Sequence, residues 1–135
     1  MRYLALIDGS DGSYGVVFPD LPGCVAMGAT MDQAMVIASE ALGDWIGTME
    51  AGGHPIPAAR TAERLLADPE VAEAIRGGSA FVSVMVVRST GKPVRANLSL
   101  DQGVVTAIDA AAERRGVTRS AMVEIIARQQ LPEMA

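Results

Sequence analysis

Residues that build small, rigid or metal-bound proteins are scarce in this chain of 135 residues. Cys24 is the single cysteine and His54 the single histidine, and aromatic residues make up 4%. One cysteine cannot form an internal disulfide, and one thiol with one imidazole cannot supply a structural zinc site. We therefore expect neither a disulfide scaffold nor a zinc finger, and we predict no metal site and no cofactor.

Long hydrophobic stretches are also lacking. The longest apolar runs, Tyr3–Ile7 and Ala34–Ala38, have five residues each, whereas a membrane span needs about 20. Asp8 and Gly9 interrupt the apolar start, which argues against a cleaved secretory signal. We expect no membrane association and a cytoplasmic location. With 50% hydrophobic residues and a mean hydropathy of +0.26, the chain has enough apolar content to fold.

The net charge of −5 is unevenly distributed. Residues 1–87 hold four arginines against eleven aspartates and glutamates, a balance of about −7. Residues 88–135 hold seven lysines and arginines against five acids, about +2. An acidic first part suits a basic partner, and a basic second part suits nucleic acid.

The first part shows the pattern of a β-meander followed by helices. Residues 2–8 and 14–18 flank a glycine and serine turn, and 24–27 resume as a third short strand after two prolines. Thr30 and Gln33 form a capping box before a helix over 31–51, and Gly52 ends it. Two weak helices follow, the second capped by Asp68 with Pro69 in its first turn. The β-branched run 81–88 predicts an interior strand of the same sheet.

The second part has a different pattern. Residues 89–93 read as a polar linker with glycine and proline, and 94–100 alternate between apolar and polar side chains as a strand does. Asp101 and Thr118 can cap two helices separated by Gly116. About 40 residues with one strand and two helices bury too little surface to be stable alone. We therefore predict that two chains pair their strands antiparallel above a shared core of four helices.

Such an arrangement is a ribbon-helix-helix dimer. A two-stranded ribbon fits the DNA major groove, where arginine can read guanine and asparagine can read adenine. Arg95, Asn97 and Ser99 are the predicted base-reading residues. The start of the second helix, at Thr118, Arg119 and Ser120, is the predicted site for a DNA phosphate. The alternative is that the polar side chains are only the solvated face of an edge strand.

The segment 115–121 resembles the inter-helix turn of the ribbon-helix-helix family, and this resemblance covers residues 94–130. The series Tyr14–Cys24, Gly28–Thr30, the alanine-rich helix and Gly53–Pro57 resembles the HicB antitoxin family. Ala29 stands where the family usually has an acidic residue, so this chain lacks that carboxylate. The two resemblances together span almost the whole chain.

The HicB resemblance implies an α+β fold. A partial RNase-H-like domain over 1–88, a linker over 89–93 and a ribbon-helix-helix module over 94–135 are expected. It also implies that the first domain binds and neutralises a small HicA-type mRNA-cleaving toxin, with Tyr14, Asp20 and Leu21 as expected contacts. The second domain would bind operator DNA and repress the shared operon, with the protein a homodimer or a tetramer.

Two other functions remain open at this point. A solitary transcriptional regulator could keep the same fold without a toxin partner. A metal-dependent nuclease would need Asp8, Asp11 and Asp20 to converge on two ions about 4 Å apart, but two of these carboxylates occupy ordinary turn positions. A third alternative pairs Cys24 as a nucleophile with His54 as its base, but the sequence indicates no third group to orient the histidine. We therefore expect no enzymatic activity.

Overall fold

The computed structural model describes residues 1–88 and 91–134, apart from the side chain of residue 133. The elements are β1 (Arg2–Ser10), β2 (Ser13–Val17), β3 (Val25–Gly28), α1 (Met31–Ala51), α2 (Ala62–Leu66), α3 (Pro69–Arg76), β4 (Ala80–Met85), α4 (Gln102–Arg115), α5 (Arg119–Gln130) and a 3-10 turn (Pro132–Met134). They fall into two compact units, Met1–Val86 and Val87–Met134. In the described part of the chain, no helix is long and apolar enough to cross a membrane.

The first unit is built on an antiparallel sheet of four strands in the order β3-β2-β1-β4. Helix α1 covers one face, and its buried residues Ala34, Ala38, Leu42 and Ile46 recur every fourth position. They pack against the sheet residues that point to that side, Tyr3, Ala5 and Ile7 among them. A mixed α+β fold is thus confirmed for this unit.

Helix α1 begins as the capping box predicts. The Thr30 hydroxyl accepts a hydrogen bond from the Gln33 backbone N–H at 3.1 Å, and the Gln33 side chain accepts one from the Ala29 N–H at 2.8 Å. Gly28 lets the helix approach the sheet, because a Cβ at this position would lie 2.5 Å from the backbone nitrogen of Ala34. The start of α1 is therefore fixed by local chemistry and by close packing.

Strand β4 corrects the expectation of an interior strand. It pairs with β1 alone among the described residues and forms an edge of the sheet. Both of its faces are nevertheless packed: Val84 joins the core under α1, and Phe81 joins a second cluster with Leu65 and Val71 of α2 and α3. The apolar run of this strand thus reflects helices on both faces and not strands on both edges.

The second unit holds α4 and α5. Asp101 caps α4, Gly116 ends it in the left-handed conformation at φ 67°, and Thr118 caps α5, all as predicted. Residues 94–100 form no strand in the single chain, where they have no hydrogen-bonded neighbour. The predicted strand pairing between two chains stays a prediction. Two residues of the predicted linker, 89 and 90, lie outside the described residues.

Candidate functional sites

The turn between β2 and β3 carries the most distinctive motif of the sequence. The Leu21 N–H donates to the Phe18 carbonyl at 3.1 Å, and the Cys24 N–H donates to the Leu21 carbonyl at 3.0 Å. The side chains of Phe18, Leu21 and Cys24 are all buried in the core beneath α1. The two prolines and Gly23 shape a turn that is anchored by apolar side chains.

Asp20, within this turn, is held by Arg60. The Arg60 backbone N–H donates to Oδ2 at 2.8 Å and its Nε donates to Oδ1 at 2.5 Å. A further guanidinium nitrogen of Arg60 donates to Asp68, the N-cap of α3, at 3.1 Å. The hydrogen bonds that Arg60 donates to both aspartates raise the pKa of Arg60, and its bond to Asp68 lowers the pKa of Asp68. The motif turn and the α2–α3 segment are thereby tied together.

The three expected toxin contacts differ in how exposed their side chains are. Leu21 is fully buried, and the Asp20 side chain is only 4% exposed and paired with Arg60. In this conformation both side chains support the fold, and their contact with a toxin stays a prediction. Tyr14 is half-buried beside the core, and its contact with a toxin stays a prediction.

The carboxylates considered for a two-metal nuclease do not come together at one point of the described structure. In the described ranges, no three histidine, cysteine, aspartate or glutamate side chains lie close enough together to hold a metal ion. Burial raises the pKa of the Cys24 thiol to about 11, so the thiol is protonated near neutral pH and is a poor nucleophile. Asp20, one of the three carboxylates considered for a nuclease, is bound to Arg60.

The predicted base-reading residues lie in an exposed segment of the second unit that forms no helix or strand. Arg95, Asn97 and Ser99 are all exposed. The apolar residues that alternate with them are exposed as well: Val94 at 87%, Leu98 at 66% and Leu100 at 45%. Within α4 and α5, Ala112 and Met122 are the buried residues. The unit therefore presents an apolar surface that its own chain does not cover.

The predicted phosphate site lies at the start of α5. The Thr118 hydroxyl accepts a hydrogen bond from the Ala121 N–H at 3.1 Å. Ser120 is exposed, whereas Arg119 donates two hydrogen bonds to Asp109 of α4, at 2.7 and 2.8 Å. That pairing lowers the pKa of Asp109. The helix start is capped as expected, but the Arg119 guanidinium is engaged within the chain.

Two features were missed by sequence reasoning. Arg60 and Asp109 have no periodic or motif signal that marks them as ion-pair partners of distant residues. Val17, Val25 and Met27 read as ordinary strand residues, yet they are 46%, 57% and 67% exposed. Only the arrangement of helices over the sheet shows that these three remain uncovered.

Comparison with known proteins extends over both units. Residues 3–127 match the family described as the HicB_like antitoxin of bacterial toxin-antitoxin systems. An uncharacterised 14.9 kDa protein from the rep-hol intergenic region of Haemophilus phage HP1 is 28% identical over 109 residues, covering 81% of this chain and 80% of that protein.

Solved structures show the same relationship. The antitoxin HicB of Burkholderia pseudomallei is 32% identical, with 97% of this chain and 98% of that chain covered at a TM-score of 0.57. A chain of the HicA3 and HicB3 toxin-antitoxin complex is 26% identical, with 64% of this chain and 99% of that chain covered at a TM-score of 0.53. The resemblance noted from the Tyr14–Cys24 motif is thus confirmed, and the chain belongs to the family of HicB-like antitoxins.

Proposed function

We propose that the protein is an antitoxin that binds and neutralises a small HicA-type toxin and represses its own operon. The observation that carries this proposal is the family match, which spans both units. A related chain is found in a HicA3 and HicB3 complex, and that match covers 64% of the present chain. We assign toxin binding to the unit Met1–Val86 and DNA binding to the unit Val87–Met134, both in the cytoplasm.

The charge of the first unit supports a basic partner. Its four arginines face eleven acidic residues, and one of the arginines, Arg60, is neutralised by Asp20 and Asp68. A toxin that cleaves mRNA must itself attract a polyanion and is therefore expected to be basic. Opposite net charges accelerate association and let the antitoxin compete with RNA for the toxin.

The apolar surface of the second unit supports pairing with a second copy. Val94, Leu98 and Leu100 alternate with polar residues in sequence and are exposed in the single chain. Antiparallel pairing of this segment with its symmetry mate would supply the missing strand neighbour and bury these side chains. Val104 and Ile126, exposed on α4 and α5, would close the shared core. This is the ribbon-helix-helix dimer, and two such dimers could form a tetramer.

In the paired ribbon, each polar side chain appears twice. Arg95, Asn97 and Ser99 would then enter the major groove from both strands, and the α5 N-terminus with Thr118 and Ser120 would receive a phosphate. Arg119 would contact a phosphate only by breaking its hydrogen bonds to Asp109, or by donating to the phosphate from the guanidinium N–H groups that Asp109 does not use. The proposal therefore gives base readout to the strand and positioning to the helix start.

The toxin half is tested by co-purification. The tagged chain is expressed with its native flanking DNA, and proteins that co-purify are identified by mass spectrometry. We expect a stoichiometric small basic protein that arrests growth when it is expressed alone. If operator DNA is bound and no such protein is found, the chain is a solitary regulator without a toxin.

The DNA half is tested with Arg95→Ala. Loss of a bidentate base contact should weaken operator binding by about 1 to 3 kcal/mol per contact and leave toxin binding intact. Arg76→Ala, at an exposed position of α3 in the other unit, is the matched control. Equal operator affinity of Arg95→Ala and the parent would refute the ribbon assignment.

A further inference from the structure

The sheet face opposite α1 is only half covered. One row of cross-strand neighbours runs Phe81, Leu6, Val17, Val25 from β4 to β3. Phe81 and Leu6 pack with Leu65 and Val71 of α2 and α3. Val17 and Val25 continue the same apolar row beyond these helices and are 46% and 57% exposed.

The next row places a carboxylate beside this apolar surface. Asp8, Gly15 and Met27 are cross-strand neighbours on the same face. Met27 is 67% exposed. Gly15 has no side chain, and the atom nearest to a Cβ built there is Asp8 Oδ1, at 3.9 Å. A partner side chain can therefore lie flat over Gly15 and reach the Asp8 carboxylate.

We call Asp8, Gly15, Val17, Val25 and Met27 the β2–β3 face. The solvent side of an antiparallel sheet is normally polar. The three large apolar side chains on this face instead lie outside both hydrophobic clusters of the unit. Strand β3 is also the last strand on this side of the described sheet. A partner seated on the face therefore has a strand edge beside it.

We propose that the β2–β3 face is the surface on which the toxin docks. The inference rests on the proposed function. The toxin would place apolar side chains on Val17, Val25 and Met27 and a lysine or arginine next to Asp8. The face has an apolar centre with a single carboxylate at its side, and the unit that carries it has four arginines and eleven acids. This surface is chemically complementary to a small basic protein.

A second copy of the chain fits this face less well. A two-fold contact brings the same surface of both copies together, so two acidic units would meet through a face that carries a carboxylate and no cation. Like charges across an interface are unfavourable. A basic partner reverses the sign of this interaction, which is why we commit to the toxin.

The test uses the full chain and the product of the adjacent reading frame that co-purifies with it. Val25→Lys places a cation in the centre of the face. Val36→Lys is the matched control, because Val36 is 56% exposed, close to the 57% of Val25, and lies on α1, which covers the opposite side of the sheet. We expect Val25→Lys to raise the Kd for the toxin at least about tenfold, and Val36→Lys to leave it within about twofold.

A second variant tests the charged part of the face. Asp8→Asn keeps the shape of the side chain and removes its charge. We expect slower association with the toxin and a smaller dependence of the association rate on salt, because a rim charge acts mainly on the encounter. Urea unfolding midpoints of Val25→Lys and Asp8→Asn, equal to that of the parent, confirm that the first unit is folded in both variants.

The outcomes separate this inference from the proposed function. If the parent chain binds no toxin, the proposed function fails and the docking surface fails with it. If the parent binds the toxin and Val25→Lys binds equally well, the antitoxin function stands and the β2–β3 face is refuted. If Val25→Lys alters only the sedimentation of the free chain, the face is a contact between copies and our assignment is wrong.

Discussion

Arg60 donates hydrogen bonds from its backbone N–H and its Nε to the Asp20 carboxylate, although the two residues are 40 positions apart in the chain. The carboxylate lies in the Pro19–Gly23 turn and is 4% exposed, so this pair joins the motif turn to the segment that precedes α2. The Tyr3 hydroxyl donates to the Pro57 carbonyl and ties the same segment to β1. The shape of the turn is thus supported by residues that are distant in the chain.

Asp20→Ala should destabilise the protein. It leaves the Arg60 backbone N–H and Nε without their acceptor, and an unsatisfied donor costs about 1 to 3 kcal/mol. Thermal or urea unfolding of the variant measures this loss. Asp44→Ala, at an exposed position of α1, is the control and should unfold as the parent does. An unchanged midpoint for Asp20→Ala would show that the pair contributes nothing to stability.

The Asp68 carboxyl should make stability depend on pH in the acid range. Its pKa is lowered by the hydrogen bond from Arg60 and by that from the Glu70 N–H. Because the folded pKa lies below the unfolded value, the stabilisation is complete above the unfolded pKa and is lost as the pH falls through the folded pKa.

The free energy of unfolding of the parent should therefore decline as the pH drops below about 4. In Asp68→Asn, part of this decline should disappear, because the side chain no longer titrates. Urea midpoints at several pH values measure the effect, with Asp11→Asn at the exposed hairpin turn as the control. Parallel pH profiles for Asp68→Asn and the parent would contradict the role of this carboxyl.

The Cys24 thiol should react slowly in the native protein. It is 3% exposed and its pKa is raised to about 11 by burial, so little thiolate is present at pH 8. Reaction with a disulfide reagent at pH 8 should be at least about tenfold slower than in urea. Equal rates in the folded and unfolded protein would mean that the thiol is accessible and ionised.

Leu98→Asp should prevent pairing of the second unit. A charge in the middle of the predicted apolar side of the ribbon cannot be buried without a partner. We expect the variant to sediment as a smaller species, to lose operator binding and to retain toxin binding. Ser99→Asp, on the alternate side of the same segment, is the control for oligomeric state. Wild-type sedimentation of Leu98→Asp would refute pairing through residues 94–100.

Local chemistry made several elements predictable. The starts of four helices are predictable from short segments of sequence, because each cap satisfies N–H groups only a few residues away. These caps are Thr30 with Gln33, Asp68 before Pro69, Asp101 and Thr118. The hairpin and the third strand were likewise predicted from turn residues and alternation. The predicted readout residues 95, 97 and 99 are exposed, and their contact with DNA remains a prediction.

The sequence by itself determined the boundaries of α1, α3 and α4, the start of α5, the antiparallel hairpin and membership of a family, since these depend on contacts within a few residues or on a linear motif. Only the tertiary structure decided that β4 lies at an edge, that Leu21 and Asp20 are buried, and that Val17, Val25 and Met27 are not. Burial depends on which distant segment covers a residue, and α2 and α3 cover one half of a sheet face and leave the other half open.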